Sequence, residues 1–289
     1  MTITCFTGSY LLALAAAIAR FIFRDRVRPW VGLILGGVGL FAHTLYLWKE
    51  ADAALEGGYP LFSSWHDWCL LASWILAAAY LGLLIRHAEN AVGLFLLPLV
   101  LGLIGVAIAV QDGGRFSRDE ALNIWRLVHG LALMAGTVSV LLGFGAGVMY
   151  LTHSYRLKRK LLSRQGFRLP SLEWLQHFNR RTLWISTGLL AVGLLSGIAL
   201  NLANRGQSIG WGDPVILSSG VLFVWLLAVC LFEWFYVPAR QGRKVVYLTL
   251  ASFIFLSLAL AFVLFGKHAS GSKPPLANDA GASVGGTEP

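Results

Sequence analysis

A chain of 289 residues with 57% hydrophobic and only 13% charged residues carries about half the charge usual for a soluble domain. With a mean hydropathy of +0.68, this composition excludes a water-soluble fold around one interior core and makes lipid part of the solvent. The formal charge of +9 would suggest nucleic acid in a soluble protein, but the cations stand in loops between apolar runs, so they read as a topology signal and no nucleic-acid partner is expected.

The first ten residues, MTITCFTGSY, have no positive n-region, and the apolar run behind them leads into arginines rather than a small-residue cleavage site. The first span, 6–23, is therefore expected to be retained. Further spans are predicted over 30–48, 66–86, 91–110, 123–152, 182–203, 214–236 and 245–266. They make an all-α polytopic bundle of about eight transmembrane helices, one domain over 1–266, because lipid-exposed backbone must satisfy its own hydrogen bonds. Within the fifth span, Gly143-Phe144-Gly145-Ala146-Gly147 is expected to let helices approach closely. Between the fifth and sixth, Leu169-Pro170-Ser171 followed by Glu173 reads as a break and a new helix start. The segment 153–181 is then either an interfacial amphipathic helix carrying Trp174 and Phe178 or a plain connecting loop. The tail, 267–289, is small, polar and rich in Gly, Pro and Ser, and is expected to be disordered beyond His268.

Alternate loops differ in charge. Arg20, Arg24, Arg26 and Arg28, then Arg86, then Arg156, Lys158, Arg159, Lys160, Arg164, Arg168, Arg180 and Arg181, then Arg240, Arg243 and Lys244 share one side. Glu50, Asp52, Glu56, Asp67, Asp112, Asp119, Glu120 and Asp213 share the other. The positive-inside rule makes the first side cytoplasmic and puts both termini outside, in a multi-pass protein of the cell (inner) membrane. No Cys-x-x-Cys or Cys-x-x-Cys-His joins Cys5, Cys69 and Cys230, so neither a thiol redox pair nor covalent haem attachment is indicated. An activated nucleophile, a phosphate-binding glycine loop and paired carboxylates are all missing from the sequence, and no paired broken helices of the transporter kind recur in the two halves.

His43, His66, His129 and His268 fall toward the outer face on this topology, and His87, His153 and His177 toward the cytoplasmic boundary. His129, in IWRLVHGLAL, stands two turns into the fifth span, where a neutral imidazole is costly without a partner. His268, in LFGKHASG, follows the last span at the same level. Two imidazoles from different helices suit the axial positions of a haem iron. Zinc is the alternative, although the nearby acids lack metal-ligand spacing. In the loop NRGQSIGWGDP, Trp211 is either an aromatic-belt residue or a platform for a flat macrocycle, and Asp213-Pro214 suits the start of the seventh helix.

Together these segments resemble the cytochrome c assembly protein family, which includes CcsA-, CcmC- and HemX-like membrane proteins. The resemblance runs from the second span onward: His129 near the outer end of one helix, Trp211-Gly212-Asp213-Pro214 closing an outer loop, and His268 after a later helix. GLFAHTLYL around His43, YPLFSSWHDWCLLASW around His66 and RLKRKLLSRQGFRLPSLEWL add weaker similarity in the same order.

The resemblance implies non-covalent haem b at the outer face, with His129 and His268 as axial ligands, Trp211 and Asp213 in the haem-binding loop, and His43 and His66 as secondary candidates. Trp211 is the lone tryptophan between Asn204 and Pro214, and Glu233, in VCLFEWFY, stands where full synthases carry a helix histidine. That implies the HemX-like accessory branch rather than a complete cytochrome c haem lyase. Other cytochrome c assembly proteins would be its partners. A regulator of haem biosynthesis or metal-ion transport, acting through a cytoplasmic partner at 153–181, is the competing expectation.

Overall fold

The computed structural model describes residues 3–23, 29–57, 64–86, 92–111, 124–159, 169–203, 214–235 and 243–265. Among them are eight α-helices: α1 (Ile3–Ile22), α2 (Pro29–Glu56), α3 (Trp65–Arg86), α4 (Gly93–Ala109), α5 (Ile124–Lys158), α6 (Leu172–Ala203), α7 (Pro214–Phe235) and α8 (Arg243–Phe265). The chain is thus all-helical where described. α1, α2, α3, α5 and α6 are long and apolar enough to cross a membrane, while α4, α7 and α8 carry shorter apolar runs. Pro29 and Pro214 open their helices, where a missing amide hydrogen costs nothing. At α3 the Ser64 amide donates to Asp67 Oδ2 at 3.1 Å and the Asp67 amide to Ser64 Oγ at 3.2 Å, a reciprocal cap that satisfies donors the first turn leaves orphaned.

The helices form two rings of four. α1 packs on α2, α2 on α3, α3 on α4 and α4 back on α1; α5, α6, α7 and α8 close in the same order, with α6 also touching α8. The rings meet where α5 lies against α3 and α4. This recurrence of architecture has no counterpart in sequence similarity between the halves.

Because lipid is as apolar as leucine, close approach rather than hydrophobic burial holds such helices together. In the first ring Tyr80 is the wedge. A β-carbon at Gly36 would stand 2.9 Å from its ring and one at Gly93 3.0 Å, and its hydroxyl donates to the Gly32 carbonyl at 3.4 Å. Tyr10 uses Gly39 in the same way, at 2.9 Å. In the second ring Gly136 receives Leu190, Gly143 receives Thr182, Thr249 and Asn179, and Gly147 receives Val246, while Gly145 turns to Leu96 of the first ring. The glycine run predicted to permit close packing therefore faces three different helices.

Asn179, fully buried, donates from Nδ2 to Thr249 Oγ1 at 2.9 Å. Trp225 Nε1 donates to Ser252 Oγ at 3.0 Å. Both bonds are interhelical, a type worth about 0.6 and at most about 1.7 kcal/mol in membranes.

α6 departs from the expected segment boundaries. Ser171 Oγ accepts the Trp174 amide at 3.2 Å, so the predicted start is a real N-cap, but the helix then runs without interruption from Leu172 to Ala203. Among the described residues, Trp174 and Phe178 therefore lie on the span's own helix rather than on a separate one. Trp174 and Phe178 stack at 5.0 Å, and Leu175 and Asn179 between and beyond them are fully buried, so this turn belongs to the bundle.

The interhelical contacts are antiparallel between successive helices, as in Phe6 on His43, Gly36 on Tyr80, His66 on Ala107 and Gly143 on Thr182. One end of the assembly therefore gathers Arg20, Arg86, Arg156, Lys158, Arg159, Arg180 and Arg181. The other gathers Glu50, Asp52, Glu56 and Asp67, together with Lys49 and Arg126.

Candidate functional site

His43, His66 and His129 lie toward the acidic end, and His153 and His177 toward the basic end. Trp211, Asp213, His268 and His87 lie outside the described residues, as does the side chain of Glu233.

His129 stands five residues into α5 and turns toward α6. Its Nδ1 is 2.6 Å from the Gly193 carbonyl oxygen. A carbonyl has no hydrogen to give, so Nδ1 carries the proton and donates it. In the neutral imidazole Nε2 is then the nitrogen without hydrogen, and its lone pair can serve a metal or a donor. The neighbouring turn of α6 makes room for the ring. A β-carbon at Gly197 would stand 2.9 Å from Cε1 and 3.0 Å from Nδ1. The Gly193 carbonyl also lies 2.8 Å from Ser196 Oγ. On the opposite flank, Gly130 receives Trp68 of α3, whose indole carbon would be 2.8 Å from a β-carbon there.

His66 is held by the same chemistry on a different pair of helices. The reciprocal cap at Ser64 and Asp67 fixes the first turn of α3, and Nδ1 of His66 donates to the Ala107 carbonyl at 2.8 Å. That carbonyl belongs to the last turn of α4, where the helix leaves its acceptors unsatisfied. The bond therefore closes a helix end as well as fixing the tautomer.

His43 differs from both. It is fully buried in the first ring, stacked on Phe6 with ring centres 4.1 Å apart and planes within 2°. The Tyr10 hydroxyl is 3.5 Å from Nδ1, a long contact, and Nε2 has no hydrogen-bond partner among the described residues. An iron-bound macrocycle has no approach to an imidazole enclosed in this way unless α1 moves.

Cys5, Cys69 and Cys230 form no disulfide with one another; Cys230 Sγ lies 3.2 Å from Thr187 Oγ1 inside the second ring. Among the described residues no three His, Cys, Asp or Glu side chains converge as a metal-binding group. The donor set that the described residues offer is one of single imidazoles, of which His66, His129 and His153 are anchored through Nδ1 on a backbone carbonyl. One anchored imidazole such as His129 has the chemistry of a haem-iron ligand, which needs no carboxylate beside it; a second facing imidazole is not among the described residues.

Sequence reasoning selected His129 but missed the groups that orient it, Gly193 and Gly197. The signal was present as Gly193-Leu-Leu-Ser196-Gly197, a small-residue spacing that marks a helix contact face. Nothing in it says that a histidine fills the contact. Compared with known proteins, the chain matches no family model, no curated protein and no solved structure.

Proposed function

We propose that this is a haem-binding integral membrane protein that handles haem at the outer face of the cell membrane, in cytochrome c assembly or haem homeostasis. Eight helices cross the bilayer with both termini outside, a reading supported by the gathering of Arg and Lys at one end of the bundle and the positive-inside rule. The observation that carries the functional reading is the anchored imidazole of His129, whose Nδ1 donates to Gly193 at 2.6 Å. A histidine that ligates metal commonly gives its other ring N–H to a carbonyl or carboxylate, which fixes the tautomer and makes the ligating nitrogen more basic.

His129 would hold the iron from one side and His268 from the other, with Trp211 and Asp213 in the loop beside them; His66 is the second anchored imidazole at the same end. Haem, when bound, would supply an iron that imidazole nitrogens can ligate. The chain's own part is to orient the imidazole and present haem b at the membrane face. The basis for assigning it to the accessory, HemX-like branch, rather than a complete haem lyase, is the resemblance together with Glu233 in VCLFEWFY.

The test is a visible spectrum of the purified protein with haem supplied. A low-spin bis-imidazole spectrum is expected, lost in His129→Ala and in His268→Ala. A protein that stays colourless rules the proposal out, and a spectrum that survives both substitutions but not His66→Ala reassigns the ligand.

A further inference from the structure

Close to His129, the side chain that decides its orientation is one that is missing. A β-carbon at Gly197 would stand 2.9 Å from Cε1, 3.0 Å from Nδ1 and 3.9 Å from Nε2 of His129. The first distance is shorter than a β-carbon tolerates and the second is at the tight edge of what is found. All three atoms belong to the far end of a side chain, so an added methyl group would be accommodated by the ring swinging away rather than by the helices parting. The Gly193 carbonyl would not oppose this movement, because Ser196 Oγ at 2.8 Å remains as a donor.

We infer that Gly197 is a positioning residue for His129: its bare α-carbon lets the imidazole reach the Gly193 carbonyl, and so determines which ring nitrogen carries the proton and where Nε2 points. The inference rests on the reading of His129 as a haem ligand for its functional meaning, but not for its geometry. Without the Gly193 bond, the two neutral tautomers become comparable, and the one with hydrogen on Nε2 has no lone pair there for iron. Ser196 tunes the same bond from the other side. Its single hydroxyl hydrogen is shared between the Val192 and Gly193 carbonyls, both at 2.8 Å, and the Gly193 oxygen, with two lone pairs, accepts from Ser196 and His129 together.

The test compares full-length wild type, Gly197→Ala, Ser196→Ala and a control, Gly188→Ala, on the same helix where an added β-carbon meets nothing within 4 Å. Nitrogen-15 NMR of the His129 imidazole without haem is expected to report the Nδ1–H tautomer in wild type, Gly188→Ala and Ser196→Ala, and a mixture in Gly197→Ala. Haem titration is expected to give about a 10- to 100-fold loss of affinity for Gly197→Ala, the range typical when a ligand's hydrogen-bond partner is lost, and no loss for Ser196→Ala. Gly197→Ala with wild-type tautomer and affinity overturns the inference while leaving haem binding intact, and so does loss of affinity in Ser196→Ala. If no form binds haem but Gly197→Ala mixes the tautomers, the positioning stands and the haem reading fails.

Discussion

Trp68 on α3 lies against Gly130 on α5, its indole Cζ2 2.8 Å from where a β-carbon would stand. The residue beside Gly130 is His129, so the contact that joins the two four-helix rings at the acidic end also flanks the candidate ligand. Fifteen positions further along α5, Gly145 meets Leu96 of α4 at 2.8 Å by the same measure. Among the described residues, these two glycines thus mark close approaches along the seam between the rings.

Gly130→Leu should open that seam. Inserting a large side chain into a packed contact costs about 1–3 kcal/mol, and the indole of Trp68, unlike a flexible chain end, has few places to go. Lower thermal stability in detergent is expected, together with altered Trp68 fluorescence. Gly102→Ala and Gly105→Ala, where a β-carbon meets nothing within 4 Å, should leave both unchanged.

His43→Phe should be tolerated. The imidazole is enclosed, stacked on Phe6 and has an unsatisfied Nε2, and a buried unsatisfied group costs about 1–3 kcal/mol. The larger ring offsets part of that gain, so stability within about 1 kcal/mol of wild type is expected, with unchanged haem binding. Loss of the haem spectrum in this variant would make His43 the ligand and require α1 to move aside.

Asn179→Ala removes the hydrogen bond to Thr249 Oγ1. The expected loss is about 0.6–1.7 kcal/mol, the range for interhelical bonds in membranes. It should show in unfolding of the solubilised protein. A change larger than about 3 kcal/mol would mean that Asn179 Oδ1, which has no hydrogen-bond partner among the described residues, also holds the helices together.

Orientation is open to direct labelling. In a background with Cys5, Cys69 and Cys230 replaced by Ser, Ala53→Cys on the exposed end of α2 and Lys158→Cys on the exposed end of α5 mark opposite ends. A membrane-impermeant maleimide applied to intact cells is expected to label position 53 and to reach position 158 only after permeabilisation. The reverse pattern would invert the topology and remove the candidate site from the outer face.

What the sequence by itself determined is the part of the fold written in long runs and in single strong residues. Apolar stretches of span length predict where the eight helices lie, because helices satisfy their own backbone hydrogen bonds in lipid, but they stop short of the polar ends of α2 and α5 and of the start of α6. Charge asymmetry between loops predicts which helix ends lie together, and His129 is legible because an imidazole deep in a span demands a partner. Tertiary structure alone decided what that partner is. The Gly193 carbonyl stands 64 positions from His129, and a backbone acceptor has no residue type to advertise it. The same holds for the continuous α6, where Trp174 and Phe178 look amphipathic in sequence but Leu175 and Asn179 are buried by neighbouring helices. It holds also for the two rings, which arise from glycines that matter only through what packs against them: Tyr80, Trp68, Thr182 and the ring of His129 itself.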